Sequence, residues 1–159
     1  FLVLFASARL WADSALQGVY IALGFIGWWQ WRYGNTGRTP LPVRSIGPRG
    51  LLWCLAAVGA GTSMLYPVLR AVHDSAPFLD ALTTSLSLVA QWLLNGKRIE
   101  SWYFWIAADC VYVPLYVSRG LNLTAVVYVL FLMLCVLGLR AWTRERAKSW
   151  HRQTARIRA

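Results

Sequence analysis

An aspartate at position 109 stands in the middle of an apolar run, Ser101 to Val117, with Trp102, Trp105, Tyr112 and Tyr116 spaced three and four residues around it. On a helix all five fall on one face. A charge near the centre of a bilayer costs roughly 2.5 to 3.5 kcal/mol on insertion scales, so an embedded carboxylate reads first as a functional group. Two indoles, two phenols and a carboxylate on one face suit a flat, polar, cationic ring. Aromatic faces stack and attract cations, while the carboxylate accepts hydroxyl hydrogen bonds or balances charge. An aromatic stripe alone would read as a packing face, with Trp102 as an interfacial anchor. Asp109 tips the reading toward a ligand.

Few other polar groups lie within apolar runs. Gln91 lies in Phe78 to Leu94 together with Thr83, Thr84, Ser85 and Ser87, and Asp13 and Gln17 lie in Trp11 to Trp31. Ser and Thr in such helices usually bond their own backbone, whereas Gln91 offers either a polar ligand contact or an interhelical hydrogen bond. Asp13 and Gln17 join the candidate binding set. Lys97 and Glu100 stand at a helix boundary, where they read equally as an intracellular gate or as a solvated pair. No apolar run carries Lys or Arg in its interior. A phosphate ligand would want one, although a helix N-terminus can also bind an anion.

Three chemistries are not indicated. Cys54, Cys110 and Cys135 each sit in an apolar run without C-x-x-C spacing, and His73 and His151 are the only imidazoles, so neither a disulfide framework nor a metal site is expected. Asp13, Asp80 and Asp109 form no D-x-x-D or G-x-G-D pattern, so an enzyme is not expected, nor a cofactor. Nucleic acid is not expected either, despite a net charge of +10, because of where the charges sit. Arg32, Arg38, Arg44 and Arg49 crowd one linker, and Arg140, Arg144, Arg146, Lys148, Arg152, Arg156 and Arg158 crowd the end. Basic residues flanking apolar segments are what the positive-inside rule produces.

The elements that must position these residues follow from composition. The 159 residues are 58% hydrophobic and 14% charged, where soluble domains carry roughly 25% charged residues. An all-α polytopic membrane protein is expected, with one transporter-sized domain over 1–159. The helices are expected at about 11–31, 51–69, 78–94, 101–117 and 121–139, after a partial segment at 1–8 and before a basic tail at 143–159. Pro67 and Pro114 should kink their helices. Four helices separate the two basic clusters, so both fall on one side, and the rule makes that side, with the C-terminus, cytoplasmic.

A weak internal repeat accompanies this plan. Shifting the chain by 111 residues lays Gly27-x-x-x-Trp31 on Gly138-x-x-x-Trp142, Gln17 on Tyr128 and Tyr20 on Phe131. Repeats of one orientation joined by an odd helix are a known transporter plan, with the site between them near the midplane.

The ordered set Ala12-Asp13-x-x-Leu16-Gln17-x-x-Tyr20, Gly27-Trp28-Trp29-Gln30-Trp31, Gln91, Lys97-x-x-Glu100-x-Trp102-x-x-Trp105-x-x-x-Asp109, Leu115-Tyr116, Tyr128 and Gly138-x-x-x-Trp142 resembles the PnuC family of vitamin transporters. The resemblance spans nearly the whole chain. It implies a SWEET-like 3+1+3 helix arrangement, here lacking the first helix and most of the second, assembled as a homotrimer in the bacterial inner membrane. It implies facilitated diffusion of unphosphorylated nicotinamide riboside, trapped by a cytoplasmic kinase, with thiamine or riboflavin as alternatives within the family. Trp102 and Trp105 match its ring-contacting W-x-x-W pair. Asp109 stands where nicotinamide riboside members often carry Asn, which leaves open which cationic ring it prefers. A structural assembly protein of the membrane is the reading from a different class, and proton coupling through Asp109 is a lesser mechanistic alternative.

Overall fold

The computed structural model describes residues 11–33, 41–73 and 76–158, with side chains described over 18–33, 41–73 and 76–148. The partial segment at 1–8, the side chains of Asp13 and Gln17 and those of the tail beyond 148 lie outside the described residues. Among the described residues the chain is helical throughout: α1 (Trp11–Tyr33), α2 (Gly47–Ala71), α3 (Pro77–Asn95), α4 (Ser101–Ser118) and α5 (Asn122–Arg158).

Two segments, Gly47–Ala71 and Asn122–Lys148, are by themselves long and apolar enough to cross a membrane. The α3 and α4 helices are shorter, at 19 and 18 residues, and carry most of the described buried polar groups. At 1.5 Å per residue each is about 27 to 29 Å long, close to the thickness of the hydrocarbon core. Both α2 and α4 run on through their prolines, Pro67 and Pro114. The last helix continues past its apolar part to Arg158 because nothing after Gly138 breaks it. Arg, Glu, Lys, Gln and Ala are all strong helix formers.

Packing is a chain of neighbours: α2 on α3, α3 on α4, α4 on α5 and α1 on α3. Cys54, Val58 and Thr62 recur every four residues on α2 and turn one buried stripe toward α3. The rest of α2 is open, with Trp53 at 77% and Met64 at 75% exposure. A helix buried on one small-residue stripe and apolar all round is built for lipid contact elsewhere. The stripe joins Leu86, Ala90 and Leu93 of α3 and Phe104 and Ala108 of α4 in one core, against which Trp105 and Tyr112 pack.

Helix ends are set by specific contacts. The α3 helix closes in a Schellman motif, Lys97 N–H to the Leu94 carbonyl at 2.9 Å and Arg98 N–H to the Leu93 carbonyl at 2.9 Å. That motif puts Lys97 at φ 49°, a conformation glycine normally supplies. The segment before α2 docks on the same corner, with Arg44 N–H donating to the Lys97 carbonyl at 3.1 Å and Ile99 N–H to the Arg44 carbonyl at 3.0 Å.

Candidate functional site

The α1 helix packs on α3 and the α5 helix on α4, and among the described residues α1 and α5 do not pack backbone to backbone. Among the described residues, rings link α1, α5 and α4 at one end. Trp31 of α1 meets Trp142 of α5 edge-on with centroids 5.7 Å apart, and Trp142 meets Trp102 of α4 at 5.2 Å. Each bridging tryptophan follows its own repeat glycine. A Cβ on Gly27 would run into the Asn95 side-chain oxygen, and one on Gly138 into the Trp102 indole. Glycine is required at both places because a neighbour's side chain occupies the space. The Trp31 indole N–H then donates to the carbonyls of Leu94 and Asn95, at 2.9 and 3.2 Å.

The contact between α4 and α5 holds a polar group. Asp109 lies halfway along α4 and is 3% exposed. Its Oδ2 accepts from the Cys135 thiol of α5 at 3.6 Å, and no other described side chain bonds to it. Among the described residues no cation partners it. A buried carboxylate without a counter-charge is costly to keep ionised.

Three tyrosines fill the other end. Tyr112 and Tyr116 of α4 stack at 5.7 Å, and Tyr128 of α5 lies 4.7 and 5.0 Å from them. Tyr128 also meets Phe131 edge-on at 5.8 Å. From the facing helices, Tyr20 of α1 approaches Ser87 and Tyr112 approaches Thr83, both on α3. Asp109 is thus bracketed by a tryptophan cluster at the Trp102 end and a tyrosine cluster at the Tyr116 end. These rings, with the carboxylate between them, can hold a flat polar ring by stacking and charge.

The structure sorts the sequence candidates. Asp109, Tyr112 and Tyr116 come together with Tyr128, which the sequence marked through its repeat partner and in the ordered motif set. Trp102 lies against Gly138 and Trp142, and its indole N–H is buried without a partner, whereas Trp105 packs on the α2–α3–α4 core. Gln91 donates to Asn95 Oδ1 within α3 at 3.0 Å, and Asn95 Nδ2 reaches across to the Leu23 carbonyl of α1 at 3.1 Å. The interhelical role considered for Gln91 thus passes to Asn95. Thr83 and Ser85 bond carbonyls of their own helix, at Leu79 and Ala81.

Lys97 and Glu100 are not each other's partners. Lys97 pairs with Glu145 of α5 at 3.5 Å. Glu100 is buried and accepts from the Ser45 hydroxyl and from Ile46 N–H at 3.2 Å, at the start of α2, and its second oxygen has no partner. Sequence reasoning missed Asn95 and Cys135. An Asn immediately before Gly96 signals a helix end, but nothing local marks a cysteine that meets a carboxylate 26 residues away.

Residues 1–144 match the nicotinamide mononucleotide transporter family. The chain belongs to that family. Its relatives include the nicotinamide riboside transporter PnuC of Escherichia coli, 26% identical over 173 residues, which span 91% of this chain and 72% of the relative. The riboflavin/roseoflavin transporter RibM of Streptomyces davaonensis is 28% identical over 148 residues, 89% of this chain and 69% of its own. A crystal structure of the vitamin B3 transporter PnuC superimposes with a TM-score of 0.67 at 26% identity, covering 92% of this chain and 68% of that one. The resemblance read from the ordered motifs is therefore correct at the level of the family, which is one of transporters and not of enzymes.

Proposed function

We propose that this transporter carries nicotinamide riboside across the bacterial inner membrane, unphosphorylated and by facilitated diffusion. The observation that carries the proposal is Asp109, buried at mid-helix with a thiol as its hydrogen-bond partner and, among the described residues, no cation beside it. The pyridinium of nicotinamide riboside supplies the missing positive charge. Its ring matches the tyrosine faces, and its ribose hydroxyls have the carboxylate as an acceptor. The mononucleotide named in the family's description adds a phosphate, and no apolar run offers it an interior Lys or Arg.

The resemblance further supports a 3+1+3 plan, in which α1 closes one triple-helix bundle, α2 links and α3 to α5 form the second. A homotrimer and trapping by a cytoplasmic kinase belong to the same reading. Riboflavin is the second reading because a riboflavin transporter is among the relatives. Its uncharged ring leaves Asp109 without a counter-charge. Thiamine, also a cation, is the third.

Calorimetric titration of the purified protein with nicotinamide riboside, its mononucleotide, thiamine and riboflavin tests the proposal. Nicotinamide riboside should bind while the mononucleotide stays silent, and Asp109→Ala should lose at least tenfold in affinity, about 1.4 kcal/mol. Binding of riboflavin or thiamine alone would overturn the substrate and keep the transporter. Silence from all four, with Asp109→Ala indistinguishable from the native chain in transport, would turn the reading to a structural assembly protein.

A further inference from the structure

We propose that Cys135 is a positioning residue for substrate recognition, holding the Asp109 carboxylate at a fixed rotation; this rests on the reading of Asp109 as the substrate's counter-charge. The three cysteines have different surroundings. Cys110 faces outward from α4 and Cys54 belongs to the α2–α3–α4 core, whereas Cys135 is 8% exposed and lies on α5 directly across from Asp109. Its Sγ–H donates to Oδ2 at 3.6 Å, and Asp109 has no second hydrogen-bond partner among the described residues.

A carboxylate joined to its helix by one flexible side chain can rotate about its terminal torsion. One donor on one oxygen removes that freedom and leaves Oδ1 as the oxygen open to a ligand. The choice of donor matters. Lys or Arg at 135 would cancel the charge the substrate needs. A thiol is a weak donor and carries no charge, so it orients the carboxylate without satisfying it. The neighbouring Tyr112 and Tyr128 rings meet at a tilt with centroids 4.7 Å apart, so the thiol supplies the directional contact and the rings an aromatic surface. Cys135 touches Asp109 and not the substrate, so its effect passes through the carboxylate.

The test is uptake of labelled nicotinamide riboside by the full chain reconstituted in lipid vesicles, comparing Cys135→Ala, Cys135→Ser, Asp109→Asn, Asp109→Ala and Asp109→Asn with Cys135→Ala. Cys135→Ala is expected to raise KM about fivefold with maximal rate changed less than about twofold, the size of a coupling between neighbouring groups. Cys135→Ser, which restores a donor, should recover most of that loss. On the Asp109→Asn background, Cys135→Ala should add nothing. Equal losses in Ala and Ser, or a Cys135→Ala loss that persists without the carboxylate, would make Cys135 a packing residue and leave the substrate reading intact. Native transport by Asp109→Ala would overturn both.

Discussion

Gly138 shows at single-residue scale what the sequence repeat is for. Alanine there would put a methyl group into the Trp102 ring, which Trp142 already holds from another side. Overpacking of this kind costs about 1 to 3 kcal/mol. Gly59 on α2 is also helical but exposed, with open space around it, so Gly59→Ala should gain about 0.5 to 1 kcal/mol from helix propensity alone. Thermal unfolding in detergent should therefore lower the midpoint for Gly138→Ala and raise it for Gly59→Ala. Matched shifts of one sign would refute the packing account. The repeat was legible as a spacing, whereas its partners were not. Nothing in Gly27-x-x-x-Trp31 says that Asn95 fills the glycine's notch, because the two residues are 68 positions apart and meet only through tertiary packing.

At the scale of elements, each of the five described helices carries an apolar run with few interior charges. The ends were less legible. The α2 helix begins at Gly47, ahead of its apolar run, because a buried Glu100 from the α3–α4 corner accepts from Ser45 and from Ile46 N–H at its first turn. A carboxylate there also faces the positive end of the helix dipole. Sequence spacing suggested Lys97 with Glu100, three residues apart, but the Schellman turn between α3 and α4 separates them and sends each to a different helix. Glu100→Ala should free two donors and weaken the corner by about 1 to 3 kcal/mol. Glu100→Gln keeps an acceptor oxygen and should lose less. Hydrogen exchange at Ile46, Arg44 and Ile99 is the measurement. Unchanged protection in the alanine variant would mean that the backbone bonds between Arg44 and Lys97 hold the corner unaided.

Over the whole molecule, contacts and charges agree on which ends belong together. The Trp31–Trp142 ring contact, the Arg44–Lys97 backbone bond and the Lys97–Glu145 ion pair gather the end of α1, the start of α2, the α3–α4 corner and α5 beyond Gly138 at one end. Arg32, Arg44, Arg49, Lys97, Arg98, Arg140, Arg144, Arg146 and Lys148 therefore share that end. At the opposite end Arg119 is held by Asp80 at 3.2 Å. Such asymmetry orients a membrane protein with its basic end in the cytoplasm. We propose this orientation for the chain; it would put the tryptophan cluster on the cytoplasmic side of Asp109 and the tyrosines on the outer side. Single cysteines introduced at Lys148 and Leu121 test the orientation with a membrane-impermeant thiol reagent on intact cells, the native cysteines giving the background. Leu121→Cys should label from outside and Lys148→Cys only after the membrane is opened. The reverse pattern would invert the topology and exchange the sides assigned to the two ring clusters, while leaving the polar centre between them unchanged.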